Sequence, residues 1–473
     1  METGTGLAAA IGWTLASIVV PGAAHLRAGH RMLGLAIFAI FLVVVSGIAV
    51  FALSLGDKIT VVLSEPSWIP LFVSVCFVGG GLWAVLVVAS YAVMRPRRGT
   101  LRRVGDLVAL VTTLAVIAPF VVVARAARTV EATLSDVFAS PLHESVDHAD
   151  PWRGRPRINI LLLGGDGAGS RKGSSIRTDS VNVASVDTRT GATVLFALPR
   201  ELENVPFPPG SVMAGLFPPP KGFYMPPGQG RGEKDLLNAI WEYADLHPEP
   251  FHNSPTRAPD ALMGAVGQIL GLKLDYYVLV NMWGLAKLID ALGGVRIHVE
   301  QDICYGVGRS DGGTVKAGTR LLNGAEALWY GRARDHDGST CAGGDNHTRM
   351  RRQHCIMSAM LHQLDPGTVL WSFEQLADAA RQTFRTDIPR ARLQDLIPLA
   401  GKVKNARVTT LSFVPPAYNP AYPDFDRIRA DAADAIAHSG DRARDAADGL
   451  HPHSARPSPA QSRLSDLSDS CSR

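Results

Sequence analysis

The first 124 residues contain four apolar runs: Leu7–Ala24, Met32–Leu55, Trp68–Met94 and Val104–Ala124. Each approaches the ~20 residues that an α-helix needs to cross a bilayer. Runs this long and this crowded leave little choice of fold, because lipid satisfies no backbone polar group and only helices or closed barrels can span it. A secretory signal peptide does not account for them, since the apolar material continues far beyond a single short h-region. Pro21 interrupts the first run near its end. A region of three to four transmembrane helices is therefore expected over residues 1–126. Its short loops set an orientation. Arg27 and Arg31 separate the first two runs, and Arg95, Arg97, Arg98, Arg102 and Arg103 separate the last two. The middle loop carries only Lys58, beside Asp57 and Glu65. Positive loops face the cytoplasm, so everything after Ala124 is expected outside. Arg125 and Arg128 run against that trend. The segment from Pro21 to Gly29 reads as a tight turn between helices.

Beyond the apolar region the chain changes character. Residues 127–156 form a polar linker containing Pro141, Pro151 and Pro156. Residues 157–416 alternate short apolar runs with stretches of helical spacing, which predicts a layered α/β domain with a central mixed sheet flanked by helices. Residues 417–473 are rich in Ala, Asp, Arg and Ser and are expected to form a polar, disordered tail, with a weak charged helix over Asp426–Ala447 and too little apolar content for a core over His451–Arg473. A Pro/Gly-rich excursion, Val205–Gly232, interrupts the domain and is expected to be functional or mobile. The net charge of +4 is too small to point to nucleic acid. No C-x-x-C spacing suggests zinc. A disulfide joining Cys341 to Cys355, or Cys304 to Cys341, suits an oxidising exterior.

The chemistry begins at Arg157–Arg200. Three apolar strands each end or begin at a charged residue: Asp166 closes the first, Arg177 and Asp179 open the second, and Arg200 closes the third. Adjacent strands would bring these groups to one edge. Two carboxylates can hold a divalent cation, and two guanidinium groups can neutralise phosphate oxygens. A second constellation follows at Glu326–Asp335, where Arg332 and Arg334 stand two residues apart. Next comes Asp345–Gln353, where Arg349, Arg352 and Gln353 share one helical face and Arg351 does not. Surface ion pairs with Asp335, Asp337 and Asp345 are the bland alternative. The set as a whole predicts an anion site. The glycines Gly164–Gly169 do not make a nucleotide loop, because Ser170 stands where the pattern needs its last glycine.

Taken in order, N-I-L-L-L-G-G-D, R-T-D-S, L-P-R-E, D-Y-Y-V-L-V-N-M-W-G-L-A-K-L-I-D-A-L-G-G-V, A-L-W-Y-G-R-A-R and R-M-R-R-Q resemble the LytR-CpsA-Psr family over about Ile158–Leu364. Its members are membrane-anchored ligases of the bacterial cell wall, and a multi-span start looks like an actinobacterial variant. The resemblance implies transfer of a glycopolymer from a polyprenyl pyrophosphate carrier to a peptidoglycan sugar hydroxyl, forming a phosphodiester. It implies Mg²⁺, or Mn²⁺, on Asp166 and Asp179. It implies pyrophosphate binding by Arg177, Arg200, Arg332, Arg334, Arg349, Arg352 and Gln353, with Asp179, Arg200 and Arg332 catalytic. Polyprenyl-linked glycopolymer, peptidoglycan and membrane lipid are the implied partners. Two places depart from the family pattern. Asn346 stands where an Asp is common, and Glu233–Ala239, with Lys234 and Asn238, matches the Lys/Asn segment only loosely. A polyprenyl-pyrophosphate hydrolase and a non-catalytic lipid-phosphate or glycan-binding regulator are the competing expectations.

Overall fold

A computed structural model describes residues 7–55, 67–96, 99–138, 149–152, 154–165, 176–224, 236–305, 312–333, 346–363, 373–439 and 465–466. The chain divides into two compact units, Met1–Leu134 and Ser135–Arg473.

The first unit is helical: α1 (Leu7–Val19), α2 (Ala23–Arg27), α3 (Arg31–Leu55), α4 (Trp68–Met94) and α5 (Gly99–Val137). Three helices are long and apolar enough to cross a membrane, over Arg31–Val50, Trp68–Met94 and Leu101–Val137. The first apolar run is not one of them. Its helix α1 has 13 residues, about 20 Å at ~1.5 Å per residue, short of the ~30 Å hydrocarbon core. The chain turns at Pro21–Gly22, where Gly22 has φ 94° and a Cβ would lie 2.3 Å from the Gly34 carbonyl oxygen. Only glycine fits that conformation and that approach. Instead of spanning, α1 packs against α4. It buries a small-residue face of Ala10, Thr14 and Ser17, as helices in lipid often do.

The second unit is built on a mixed seven-stranded sheet of order β11-β10-β3-β2-β1-β4-β9. Its central strands are β1 (Arg157–Gly165), β2 (Thr178–Asp187) and β3 (Thr193–Leu198), paired antiparallel. β4 (Tyr276–Asn281) runs parallel to β1, and β10 (Val408–Ser412) runs parallel to β3. The edges are β9 (Phe384–Thr386) and β11 (Ser465–Asp466). Every residue of β3 is buried, as a strand covered on both faces requires. On one face, Val181, Val183 and Phe196 pack with α7 (Ile240–Leu246), α8 (Arg257–Leu270) and α14 (Phe425–Ser439). On the other, Ile158, Val186 and Tyr276 pack with Leu399 of α13 (Leu393–Asn405).

A separate apolar cluster lies beyond β4. It joins α9 (Met282–Ala291), the hairpin of β5 (Val295–Val299) with β8 (Gly318–Leu322), the hairpin of β6 (Ile303–Tyr305) with β7 (Gly313–Val315), α10 (Gly324–Tyr330) and α11 (Asn346–Gln363). Helix α12 (Phe373–Thr383) packs on α9.

Two expectations need revision. The tail boundary at 416 falls too early: α14 buries Ile428, Ala432 and Ala435 in the main core. Its Ala-rich, charged sequence hides a narrow stripe of small residues at i, i+4 and i+7, which needs no large side chains to dock closely. The end of α14 is also tied to the sheet, since Arg157 donates to Ser439 Oγ at 2.9 Å. Second, the described part of the Pro-rich excursion is anchored. Phe207, Phe217 and Phe223 are buried against one another, and the last two meet Tyr243 of α7, with Phe217 and Tyr243 centroids 5.1 Å apart in an edge-on pair. Such aromatic contacts add to the burial of the rings. Cys304 and Cys355 are both disulfide-bonded. Cys341, expected as a partner, and Cys471 lie outside the described residues, and Cys76 is free.

Candidate anion site

The end of the sheet collects the charged residues through strand register. Gly165, the last residue of β1, lies opposite Thr178 of β2 and opposite Asn281 of β4. Val181 of β2 lies opposite Leu198 of β3. Arg177, Asp179 and Arg200 are therefore neighbours at one end of three adjacent strands. The pairing of β1 with β2 shifts here, from Gly164 opposite Ser180 to Gly165 opposite Thr178, so Asp179 is the extra residue of a β-bulge, a device that re-aims a side chain at a sheet end. Asp166 follows Gly165 directly and lies outside the described residues, as does Arg334.

Arg200 Nη1 donates to Asp179 Oδ1 at 2.6 Å, with both side chains 14% exposed. Arg177 Nε donates to Glu242 Oε2 at 2.7 Å. Each guanidinium is thus fixed by a carboxylate in a partly dehydrated place, where charge-assisted bonds are strong. Glu201 Oε2 stands 3.9 Å from Arg200 Nε. Glu242 is not among the residues singled out from the sequence. A usable signal was present: Asn238 and Glu242 are i and i+4, and share a face. Backbone bonds bolt this segment to the site. The N–H of Asn238 donates to Arg200 O at 3.1 Å, and that of Leu237 to Leu202 O at 2.9 Å.

The second group gathers where α10 ends. A capping box starts this helix: Asn323 Oδ1 accepts from Glu326 N–H at 2.9 Å, and Glu326 Oε2 from Asn323 N–H at 3.0 Å. Together these satisfy two donors at the helix start. Gly324 presses on α9 so closely that a Cβ would lie 2.0 Å from the Ala286 carbonyl oxygen. The helix closes at Gly331-Arg332, with Arg332 N–H donating to Trp329 O at 3.0 Å. Across it, Gln353 Nε2 of α11 donates to Gly331 O at 3.2 Å. The Arg352 guanidinium lies over the Tyr330 ring, 5.6 Å from its centroid. Burial pushes the Tyr330 hydroxyl pKa up, and the positive charges of Arg352 and Arg351 partly oppose that. Arg349 and Arg352 are both buried, while Arg351 is half-buried. Among the described residues, the bonds detailed here run within each group. Helix α9, on which α10 rests, springs from the same end of the sheet, where Asn281 accepts from Trp283 N–H at 3.0 Å.

The fold and site define a class: an α/β domain with arginines and carboxylates at one end of its sheet, in a chain that also carries three helices long enough to cross a membrane. Residues 123–419 match the LytR_cpsA_psr family, and the chain belongs to it. A polyisoprenyl-teichoic acid–peptidoglycan teichoic acid transferase, TagU, from Oceanobacillus iheyensis is 25% identical over 261 residues, covering 55% of this chain and 68% of that protein. The regulatory protein MsrR of Staphylococcus aureus is 27% identical over 241 residues, covering 50% of this chain and 59% of MsrR. Among solved structures, a Streptococcus agalactiae protein aligns with 19% identity and a TM-score of 0.41, covering 61% of this chain and 92% of that one.

Proposed function

We propose that this chain transfers a glycopolymer from a polyprenyl pyrophosphate carrier to a sugar hydroxyl of peptidoglycan. Family membership supports the class of reaction, and the name of the TagU relative supports a cell-wall glycopolymer as cargo and peptidoglycan as acceptor. The observation that carries the reading is the Asp179–Arg200 pair beside Arg177 at the sheet end. Phosphoryl transfer depends chiefly on position and on neutralising charge that develops on phosphate oxygens. In this reading Arg177, Arg200 and Arg332 bind the two phosphates. Arg334, Arg349, Arg352 and Gln353 complete the anion-binding wall. The sugar hydroxyl forms a bond to the phosphorus that bears the glycan, the bond to the polyprenyl phosphate breaks, and the hydroxyl proton passes to Asp179.

The donor set suits a hard divalent cation. Among the described residues no cluster of three metal-ligating side chains exists. Two carboxylates would suffice for Mg²⁺ or Mn²⁺, since Mg²⁺ is typically held by one or two carboxylates together with substrate phosphates. Asp179 and Asp166 would hold it, and it would supply further neutralisation of phosphate charge.

We place the domain outside the cell. The basic loops at Arg27–Arg31 and Arg95–Arg103 mark the cytoplasmic ends of the three long helices. The disulfide-bonded Cys304 and Cys355 belong to the segment after the last of them, as an oxidising exterior allows.

The test uses the full chain in detergent with a polyprenyl-pyrophosphoryl sugar, Mg²⁺ and a peptidoglycan oligomer. Sugar phosphate joined to the oligomer, and lost in Asp179→Ala, is the expected result. Free sugar phosphate formed at the same rate without acceptor would make the protein a hydrolase. Binding without either product would make it a regulator.

A further inference from the structure

Asn238 is fully buried in a one-turn 3₁₀ helix, Leu237–Ala239, whose other residues pack into the main core. Among the described residues, neither its Oδ1 nor its Nδ2 has a hydrogen-bond partner. The Nε of Arg200 is buried and without one as well. The two residues are joined through the main chain, where the N–H of Asn238 donates to the carbonyl of Arg200. Buried polar atoms are nearly always paired in folded proteins, and an orphan asks for a partner that the chain itself does not supply.

The chemistry of the orphans narrows that partner. An ionised phosphate only accepts. It would satisfy Arg200 Nε and Asn238 Nδ2, but it has no hydrogen to offer Oδ1. A carboxamide has donors at one end and an acceptor at the other. Both ends are met by a group that donates and accepts, such as a sugar hydroxyl or an acetamido group. We propose that Asn238 is a sugar-reading residue, which hydrogen-bonds a hydroxyl or acetamido group of the pyranose next to the phosphate held by Arg200. The inference rests on the glycopolymer-transfer reading of the site. It adds a specificity element to the arginines. Glu242, one turn further on, fixes Arg177, so one short segment would orient a phosphate ligand and read the sugar attached to it.

The test uses the full chain in lipid nanodiscs and two probes: polyprenyl pyrophosphate without a sugar, and polyprenyl-pyrophosphoryl-N-acetylglucosamine. Asn238→Leu, close in shape and without polar atoms, should weaken binding of the sugar-bearing lipid by roughly tenfold to a hundredfold. Binding of the sugar-free lipid should stay within about twofold. Asn238→Ala removes the amide without adding bulk and should show the same selectivity, which guards against a folding failure of the first variant. A selective rise in KM for a peptidoglycan oligomer, with both lipids bound normally, would overturn the proposal, because Asn238 would then serve the acceptor and not the sugar beside the phosphate. Equal losses on both lipids would overturn the proposal, because Asn238 would then serve the phosphate or the fold. No change in either lipid or in the acceptor KM would overturn it too, a buried water being the partner. Arg200→Ala is the separate control. If it leaves both lipids bound, the pyrophosphate site itself is misassigned, whatever Asn238 does.

Discussion

The two arginine groups of this domain are held in different ways. At the sheet end, Arg200 and Arg177 each meet a carboxylate at 2.6 and 2.7 Å, one on a strand and one on a helix. At the end of α10, Gln353 holds a backbone carbonyl and Arg352 lies over an aromatic ring. The first group is set by strand register, which allows no slippage without turning every core side chain to the wrong face. The second is set by caps and helix packing, whose individual contributions are about 1 kcal/mol. The contrast suggests a division of labour. In the proposed reaction the sheet end would be a floor that fixes the phosphate to be attacked, and the wall of helix-borne residues would close around the rest of the substrate.

The largest expected effect follows from the floor. Arg200→Ala should lower transfer by about 10²–10³-fold, the usual consequence of removing one preorganised charge-stabilising donor. The variant also leaves Asp179 partly buried without its cation. A stability measurement beside the kinetics separates these effects: kcat/KM should fall far more than the melting temperature explains. Activity within a few-fold of wild type would remove Arg200 from the machinery and dissolve the distinction between floor and wall.

A double-mutant cycle on Arg177 and Glu242 tests how tightly the floor is built. Arg177→Ala alone strands a carboxylate that is only 13% exposed. Arg177→Ala/Glu242→Ala removes both charges. The coupling in thermal or chemical unfolding should be about 1–3 kcal/mol, with the double variant less damaged than the sum of the singles. On the wall, Gln353→Ala should cost about 1–2 kcal/mol, because the Gly331 carbonyl loses its donor. A larger loss at Gln353 than across the Arg177–Glu242 cycle would reverse the assignment of rigid and adjustable halves.

The floor was more legible in the sequence than the wall. Strands announce themselves by apolar runs, and a charged residue closing such a run must lie at the end of a sheet. Hence Arg177, Asp179 and Arg200 could be placed together before any coordinates. Glu242 could not, because the partner of Arg177 comes from a helix 65 residues away, and no local pattern encodes that meeting. The small strands β6 to β8 escaped notice for a related reason. They are three to five residues long, too short for periodicity to speak. Helix α14 was legible as a weak charged helix, but its docking in the core was concealed by composition: its buried face is alanine and one isoleucine, so overall polarity outweighed a narrow stripe. The membrane region shows the converse case. Hydropathy marked four runs and Pro21 set the first apart, but it took geometry, a 13-residue helix broken at Pro21–Gly22, to separate it from the three that can span.

A third carboxylate provides the smallest and most specific test of what a cation partner does at this sheet. Asp387 follows β9 and accepts the Tyr277 N–H at 2.7 Å. Burial pushes its pKa up to about 6, the Tyr277 N–H and its own backbone N–H partly oppose this, and the negative charge of Asp260 adds to it. The unfolded chain loses this proton near pH ~4. Between about pH 4 and 6 the folded protein therefore holds a proton that the unfolded chain has lost, and stability falls as pH rises through that window. The displacement corresponds to at most ~3 kcal/mol, and residual solvent screening reduces that to about 1 kcal/mol. Asp387→Asn keeps an oxygen for Tyr277 and removes the charge. It should melt above wild type at pH 7.5, and the difference should vanish by pH 4. A lower melting point at pH 7.5 would mean that Asp387 has a stabilising cation after all, as Asp179 has in Arg200. Carboxylates on this sheet would then be paired as a rule, and the Asp179–Arg200 pair would lose its standing as a mark of the site.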